Sequence, residues 1–236
     1  MNLRLVPLLT AWLVGAGLSA SVVRAGANEL TEAEKTAGWT LLFDGRTTTG
    51  WRGFKQATFP ARGWIVEDGC LKHVAGGGGG DIITDAVFGD FELVWEWRLA
   101  PGANSGVKYF ITETRGSAIG HEYQLLARAN PQAVDPPGKH VTAGFYDVLP
   151  TRIPIKLRPP GEFNESRILV RGSRVEHWLN GELTLTYEAG SPEVKAAVAA
   201  SKFKDVPNFG EKLRGHILFQ DHGGEAWFRN VKLREF

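Results

Sequence analysis

Apolar and polar residues alternate with a period of two along most of the chain from Trp39 onward. In the segment Phe91–Leu99 the odd positions are all apolar, and three of the four even positions are charged. Successive side chains of a β-strand point to opposite faces, so this pattern predicts a strand with one face in a hydrophobic core. The same reasoning predicts further strands over residues 106–112, 122–126, 167–171, 215–221 and 225–234.

Two local signals refine this picture. Between residues 174 and 188, two alternating runs meet at Asn180 and Gly181, a pair that suits a type I′ hairpin turn. Between residues 191 and 205 the period changes. Ser191 can cap a helix, Pro192 suits its first turn, and apolar residues recur at helical spacing. We therefore predict one short surface helix inside an otherwise all-β chain.

The predicted fold is a two-sheet jelly-roll β-sandwich. About a dozen strands in roughly 200 residues are typical of that architecture. No internal repeat and no low-complexity linker divides the chain, and the glycine run 76–80 is interpreted as a loop between strands. We expect a short N-terminal segment over residues 26–37 and one domain over residues 38–236.

The first 25 residues have the pattern of a secretory signal peptide. Arg4 precedes an apolar run over residues 5–20, and a small-residue cleavage pattern ends at Ala25. The apolar run is too short for a comfortable membrane span, and no cysteine follows it as a lipid-anchored protein would require. We predict a periplasmic or secreted protein without a stable membrane anchor. An uncleaved N-terminal anchor is the alternative.

The composition argues against several classes of protein. The 236 residues are 43% hydrophobic and 22% charged, which is typical of a globular protein and not of a disordered one. The net charge of +1 gives no electrostatic reason to expect a nucleic-acid partner. Cys70 is the single cysteine, so an internal disulfide and any multi-cysteine metal site are excluded.

A series of short motifs runs along the chain. The motifs are WTLLFDG at 39–45, WIVEDG at 64–69, GDFEL at 89–93, PGANSG at 101–106, EYQ at 122–124, WLNG at 178–181, QDHG at 220–223 and FRNV at 228–231. Taken together and in this order, they resemble the 3-keto-disaccharide hydrolase family. The resemblance covers residues 38–236 and implies a concanavalin A-like lectin/glucanase fold acting on oxidised sugars. One departure is the run Ala127-Arg128-Ala129, where similar proteins carry acidic residues.

Strand parity indicates which motif residues share a face. Glu122 and Gln124 lie on one face of their strand, and Tyr123 lies on the other. A straight strand would place residues 216, 218, 220 and 222 on one side, with residues 217 and 219 in the core. Lys108 is expected opposite an apolar set formed by residues 107, 109 and 111. The outer face of the concave sheet is the expected sugar-binding surface.

The expected chemistry follows from the substrate that the resemblance implies. Ordinary glycosidases need two carboxylates across the scissile bond, and the glucanase pattern Glu-x-Asp-x-x-Glu is absent. A 3-keto group acidifies the C2 hydrogen, so one base, one acid and donors for an enolate oxygen suffice for elimination across C1–C2 and subsequent hydration. We expect His222 as the base, with Glu122 as its orienting partner or as the acid. The expected substrate-binding residues are Glu96, Asn104, Lys108, Gln124, Tyr146 and Gln220.

Two alternatives stay open at this stage. The sequence requires no cofactor, but a divalent cation held by Glu122 and His222 could take the charge of the enolate. The protein could also be a non-catalytic carbohydrate-binding module that shares the sandwich. A free-standing domain with its own export signal favours the enzyme.

The export signal gives the first testable prediction. Protein secreted by its native export route is expected to begin near Gly26, because signal peptidase cleaves after the small residue at position 25. Mass spectrometry of the mature N-terminus measures this. Recovery of the intact N-terminus from the exported protein would contradict cleavage.

Overall fold

The computed structural model describes residues 26–128, 130 and 138–236, so the predicted signal peptide and Ala129 lie outside the described residues. The described chain forms two short helices and thirteen strands. Their bounds are α1 Glu32–Thr36, β1 Thr40–Leu41, β2 Trp51–Gly53, β3 Trp64–Glu67, β4 Cys70–His73, β5 Ile82–Thr84, β6 Phe91–Leu99, β7 Asn104–Ile111, β8 His121–Leu126, β9 Asn164–Arg171, β10 Arg174–Leu179, β11 Glu182–Glu188, α2 Pro192–Ala199, β12 His216–Phe219 and β13 Ala226–Glu235.

The strands form two antiparallel sheets. The larger sheet has eight strands in the order β11-β10-β9-β6-β13-β4-β3, with β1 paired to β13. The smaller sheet has five strands in the order β2-β5-β12-β7-β8. The predicted all-β, two-sheet jelly-roll sandwich is confirmed. Within the described residues, no helix is long and apolar enough to cross a membrane.

Aromatic side chains join the two sheets. Trp95 of β6 meets Tyr123 of β8 edge to face, with ring centroids 5.1 Å apart. Phe219 of β12 stacks on Phe228 of β13 at 4.3 Å. All four side chains are fully buried. Large aromatic rings dominate core energetics through the area that they bury, so these contacts fix the inner face of the five-stranded sheet and leave its outer face for other roles.

The hairpin and the predicted helix are present. Asn180 and Gly181 both have positive φ, at 50° and 83°, as a type I′ turn requires. Helix α2 begins after Ser191, whose hydroxyl accepts a 3.2 Å hydrogen bond from the Val194 N–H. The sequence pattern predicts one helix, whereas the described residues form two, because α1 is present as well. It buries no side chain, so no apolar periodicity marks it, and a capping box between Thr31 and Glu34 stabilises its first turn.

Strand β7 departs at one point from the regular alternation that the sequence predicts. Phe110 has a φ of 59°, and the pairing with β12 shifts register between His216 and Leu218. This bulge turns Phe110 into the main core, next to Tyr109. Ile111, expected to face that core, instead packs with Leu218 in a second cluster. One extra residue in a strand reverses the facing of every side chain beyond it, and residues before the bulge keep the predicted facing.

The bulge also requires a glycine on the neighbouring segment. A Cβ at Gly215 would lie 2.5 Å from the carbonyl oxygen of Ile111 and 2.7 Å from the carbonyl carbon of Phe110. Because both contacts are with backbone, Gly215→Ala is expected to destabilise the protein by about 1–3 kcal/mol, the usual range for overpacking. Urea unfolding measures the change. Gly116→Ala is the control, since no atom lies within 4 Å of its added Cβ; equal stability of the two variants would contradict the prediction.

Candidate active site

A cavity of about 480 Å³ opens on the outer face of the five-stranded sheet. Its floor is formed by β7, β8 and the segment that follows β12, and loops from four other parts of the chain form its walls. Its lining residues are Asp81, Asn104, Lys108, Ser117, Ala118, Ile119, Gly120, Glu122, Gln124, Tyr146, Lys202, Phe203, Val206, Gln220 and His222.

The register of β7 and β8 places the floor residues side by side. Lys108 lies opposite Glu122, and Gly106 lies opposite Gln124. A Cβ at Gly106 would lie 2.7 Å from Glu122 Oε1, so the glycine leaves the space that the carboxyl group occupies. The shared face predicted for Glu122 and Gln124 is therefore present, and it faces the cavity.

The Lys108 ammonium lies between two carboxyl groups. Its Nζ is 3.9 Å from Glu122 Oε2 and 3.7 Å from Asp81 Oδ2, and it donates a 3.3 Å hydrogen bond to the Ala118 carbonyl. Burial raises the pKa of Glu122, and the charge of Lys108 offsets part of that rise. Burial raises the pKa of Asp81 in the same way, against the same ammonium. The site therefore favours the protonated form of a carboxyl group beside a fixed positive charge.

His222 lies exposed at the mouth of the cavity. Asn104 Nδ2 is 3.4 Å from His222 Nε2, and Gln124 Nε2 donates a 3.2 Å hydrogen bond to Asn104 Oδ1. Because an amide N–H can only donate, this arrangement assigns the lone pair of the imidazole to Nε2. The side chain that orients His222 is therefore Asn104, whereas the sequence had suggested Glu122 for that role.

Amide oxygens complete the floor. Gln124 Oε1 and Gln220 Oε1 are buried and have no hydrogen-bond partner among the described residues. The backbone of Gln220 is fixed by its N–H, which donates to the Gly106 carbonyl at 3.0 Å, and by its carbonyl, which accepts from Ser105 Oγ at 2.9 Å. These oxygens can accept hydrogen bonds from sugar hydroxyls.

One wall is built from segments outside the sheets. The Tyr146 N–H donates to the Glu122 carbonyl at 3.0 Å, which ties this segment to the edge of β8. Lys202 Nζ lies 4.2 Å from the centre of the Tyr146 ring, and the Lys202 N–H donates to Asp147 Oδ2 at 2.7 Å. Together with Phe203 the wall offers aromatic surface, which suits the apolar face of a sugar ring.

Glu96 lies elsewhere. It belongs to β6 of the eight-stranded sheet, where its Oε2 accepts a 2.7 Å hydrogen bond from Arg229 Nε. It does not line this cavity but a separate one of about 720 Å³ on the outer face of the larger sheet. The structure therefore does not bring Glu96 together with the other predicted site residues. Alternation identifies the face of a strand but does not identify the sheet to which the strand belongs.

The departure from the family motif also lies away from the cavity. Ala127 is buried, and Arg128 Nη2 donates a 2.7 Å hydrogen bond to the Leu157 carbonyl. Both residues line another groove, which Trp227 and Pro160 share. The described part of this run therefore does not form the rim of the cavity.

Among the lining residues that the sequence does not predict, two are charged, Asp81 and Lys202. Asp81 follows the glycine run 76–80, which the sequence indicates as a loop that lets backbone approach a ligand or as a long turn, without a role for Asp81. Lys202 follows helix α2 and gives no pattern of its own. A charged residue directly after a glycine run was the available signal for Asp81, because such loops let the backbone approach a ligand closely.

The donor set does not fit a divalent cation. Among the described residues, no group of three His, Cys, Asp or Glu side chains converges to hold a metal ion. The ammonium of Lys108 lies near the carboxylate oxygens of both Asp81 and Glu122, which are the hard ligands that such an ion would need. No step below is derived through a metal.

The fold and the cavity define a carbohydrate-active β-sandwich protein. The model of the 3-keto-α-glucoside-1,2-lyase-like domain matches residues 38–234, and the chain belongs to that family. A 3-keto-disaccharide hydrolase of Bacteroides thetaiotaomicron is 34% identical over 228 residues, covering 84% of this chain and 78% of that protein.

Solved structures agree with this assignment. A candidate glycosyl hydrolase from Parabacteroides distasonis matches with a TM-score of 0.78 at 34% identity, covering 89% of this chain and all of that one. A β-glucanase from Bacillus licheniformis matches in fold alone, with a TM-score of 0.50 at 10% identity over 85% of this chain and 99% of its own. The protein is a glycoside-cleaving hydrolase, so the non-catalytic alternative is set aside.

Replacement of Lys108 tests the electrostatics of the site. Because the ammonium stabilises the ionised carboxylate, Lys108→Met is expected to raise the pKa of Glu122 further. A ¹³C NMR titration of the glutamate carboxyl groups measures the shift. Lys195→Met, on the exposed side of α2, is the control and should leave Glu122 unchanged. A fall in the pKa of Glu122 in Lys108→Met would contradict this account.

Proposed function

We propose that this enzyme cleaves the glycosidic bond of 3-keto-glycosides, including 3-keto-disaccharides, by elimination across C1–C2 followed by hydration. The observation that carries the proposal is the Lys108 ammonium beside the buried Glu122 carboxyl, in a cavity whose mouth holds His222. A positive charge next to a carboxyl group with a raised pKa suits the two demands of elimination, which are an enolate oxygen to stabilise and a leaving oxygen to protonate.

In the first step His222 acts as the base. The C3 ketone acidifies the C2 hydrogen. The substrate replaces the 3.4 Å contact of Asn104 Nδ2 with His222 Nε2, and Nε2 takes the C2 proton while charge develops on the C3 oxygen. Lys108 stabilises this enolate oxygen. The C1–O bond then breaks, Glu122 gives its proton to the departing oxygen, and an enone with a C1=C2 double bond remains.

The second step reverses the two roles. Glu122, now ionised, takes a proton from a water molecule whose oxygen adds to C1. His222 is exposed, so its imidazolium exchanges protons with solvent; it then delivers a solvent-derived proton to C2, and the C3 carbonyl is restored. The sum is the addition of one water molecule across the glycosidic bond, and both side chains regain their starting protonation states. These two reaction steps require no redox partner and no further cofactor.

The remaining lining residues suit binding of the sugar. Asn104 holds the His222 ring until the substrate enters, and Gln124 and Gln220 offer oxygen acceptors to hydroxyl groups. Tyr146 lines the same cavity, with Lys202 Nζ and the His140 ring against its own ring. Export to the periplasm or beyond would place this enzyme where glycosides arrive from outside the cell.

The reaction itself is tested in deuterium oxide. Mature enzyme is incubated with a 3-keto-glucoside and with the unoxidised parent glucoside, with and without chelator, and the products are followed by NMR. We expect release of sugar only from the keto substrate, deuterium at C2 of the released 3-keto-glucose, and no effect of the chelator. Cleavage without deuterium at C2, or equal cleavage of the parent glucoside, would contradict elimination. Loss of activity with chelator and its return with a divalent cation would contradict the metal-free mechanism.

Two variants test the assigned roles. His222→Ala and Glu122→Gln are each expected to lower kcat by about 100- to 10,000-fold, the usual effect of losing a positioned base or acid. The rate of the wild type is expected to fall as the pH rises through the raised pKa of Glu122, because the proton donor is then lost.

Carboxylates on the other sheet supply the controls for these variants. Glu165→Gln, at an exposed position of β9, should leave kcat unchanged. Glu96→Gln should also leave kcat unchanged, because Glu96 lies outside the cavity. Equal activity of Glu122→Gln and Glu165→Gln would remove Glu122 from the mechanism.

A further inference from the structure

A buried histidine lies behind the cavity and takes no part in the reaction proposed above. His73 is in β4 of the eight-stranded sheet and is 1% exposed. Its Nδ1 is 2.7 Å from the Gly224 carbonyl oxygen, and its Nε2 is 2.8 Å from Asp221 Oδ1. The Trp64 ring packs against it edge-on at 5.0 Å.

Both ring nitrogens of His73 lie against oxygen atoms that can only accept hydrogen bonds. Its Nδ1–H donates to the Gly224 carbonyl, which fixes the orientation of the ring. Its Nε2 contacts Asp221 Oδ1 at 2.8 Å without the alignment of a hydrogen bond. The ring therefore connects β4 to the Asp221 side chain.

Asp221 in turn connects two segments that carry cavity residues. Its Oδ2 accepts from the Gly80 N–H and its Oδ1 from the Gly223 N–H, both at 2.9 Å. Its own N–H donates to Asp81 Oδ1 at 2.9 Å. These hydrogen bonds hold the pKa of Asp221 below its usual range although burial raises it. Gly80 immediately precedes Asp81, and Gly223 immediately follows His222.

We propose that His73 and Asp221 are positioning residues, which hold Asp81 and His222 in their places in the cavity. The Asp221 carboxylate fixes the backbone next to each of these side chains, and the His73 ring fixes the carboxylate. Neither residue of the pair lines the cavity, so both act through their neighbours. This inference rests on the proposed function only for its effect on the rate.

The loop geometry makes this positioning necessary. Gly76 donates to the Gly223 carbonyl at 3.0 Å, so the glycine run and the segment after β12 lie against each other. Cβ atoms at Gly77 and Gly79 would lie within 2.4 Å of the backbone at Gly63 and Arg62, so the run is confined on its other side by backbone. A run of glycines has little intrinsic preference for one conformation and has no side chains to hold it in place. The hydrogen bond from the Gly80 N–H to Asp221 holds the end of this loop.

The central variant is Asp221→Asn, which keeps the shape of the side chain but removes its charge. The amide offers one acceptor oxygen where the carboxylate offered two, so either the Gly80 N–H loses its acceptor or the Gly223 N–H and the His73 ring lose theirs. With a 3-keto-glucoside as substrate, we expect kcat/KM to fall by about 10- to 100-fold, the effect of a small displacement of reacting groups. Asp221→Glu, which keeps the charge, is expected to retain more activity than Asp221→Asn.

Glu113→Gln is the matched control. Like Asp221, Glu113 is a carboxylate that lies near a histidine. Its partners are His216 of β12 at 4.0 Å and Arg52 at 2.7 Å. Glu113 does not line the cavity. We expect this variant to lose stability and to keep its kcat/KM. A variant that fails to fold would be recognised by circular dichroism.

Two NMR measurements decide the proposal without substrate. In the wild type, ¹⁵N NMR is expected to show His73 Nδ1 carrying a proton, because it donates to the Gly224 carbonyl. In Asp221→Asn, the His222 ring and the Asp81 carboxyl resonances are expected to move, and in Glu113→Gln they should not.

Either of two results would overturn the proposal. A His73 Nδ1 without a proton in the wild type contradicts the hydrogen bond that fixes the ring. Unchanged Asp81 and His222 resonances in Asp221→Asn contradict the positioning role. If the wild type does not cleave the 3-keto-glucoside at all, the proposed function fails, and these resonances still decide the role of the pair.

Discussion

The Lys108 ammonium, 3.7 Å from Asp81 and 3.9 Å from Glu122, is the charge around which the polar face of the five-stranded sheet is arranged. Transfer of an isolated charge into a largely buried site is costly, and a carboxylate placed alone in the same site would be neutralised by protonation. The opposite charges of Lys108, Asp81 and Glu122 offset part of the free-energy cost of burying each group. The pKa of Glu122 and of Asp81 remains raised, because one ammonium offsets only part of the cost of burial.

This arrangement depends on the separation of the two faces of β7 and β8. Tyr123 is directed inward to Trp95, whereas its neighbours Glu122 and Gln124 face the cavity. The aromatic core thus fixes the orientation of the reactive face without contacting it. The bulge at Phe110 lies just beyond Lys108, so the reactive end of β7 keeps regular alternation while the far end of the strand turns other residues inward.

Buried polar atoms without hydrogen-bond partners occur in several parts of the described chain, and two of them belong to residues that line the cavity. Gln124 Oε1 and Gln220 Oε1 lack partners among the described residues, whereas Asp221 receives three contacts. Buried polar atoms without partners cost free energy in the empty protein, and a sugar whose hydroxyls fill them recovers that cost on binding. The fully bonded Asp221 lies one layer behind and suits a role in holding the backbone.

The sequence by itself determined the sandwich, the hairpin at Asn180, the helix after Ser191 and the shared face of Glu122 and Gln124, because these follow from local periodicity and local turn chemistry. The motifs at 101–106, 122–124 and 220–223 also predicted one shared site, and their residues Asn104, Glu122, Gln124, Gln220 and His222 all line the cavity. Only the tertiary structure decided that Glu96 belongs to the other sheet, that Asp81 enters the cavity and that His73 pairs with Asp221. The physical reason is that alternation along a strand reports which face a side chain takes, whereas the partners of that face come from segments up to about 150 residues away, through packing that no local pattern encodes.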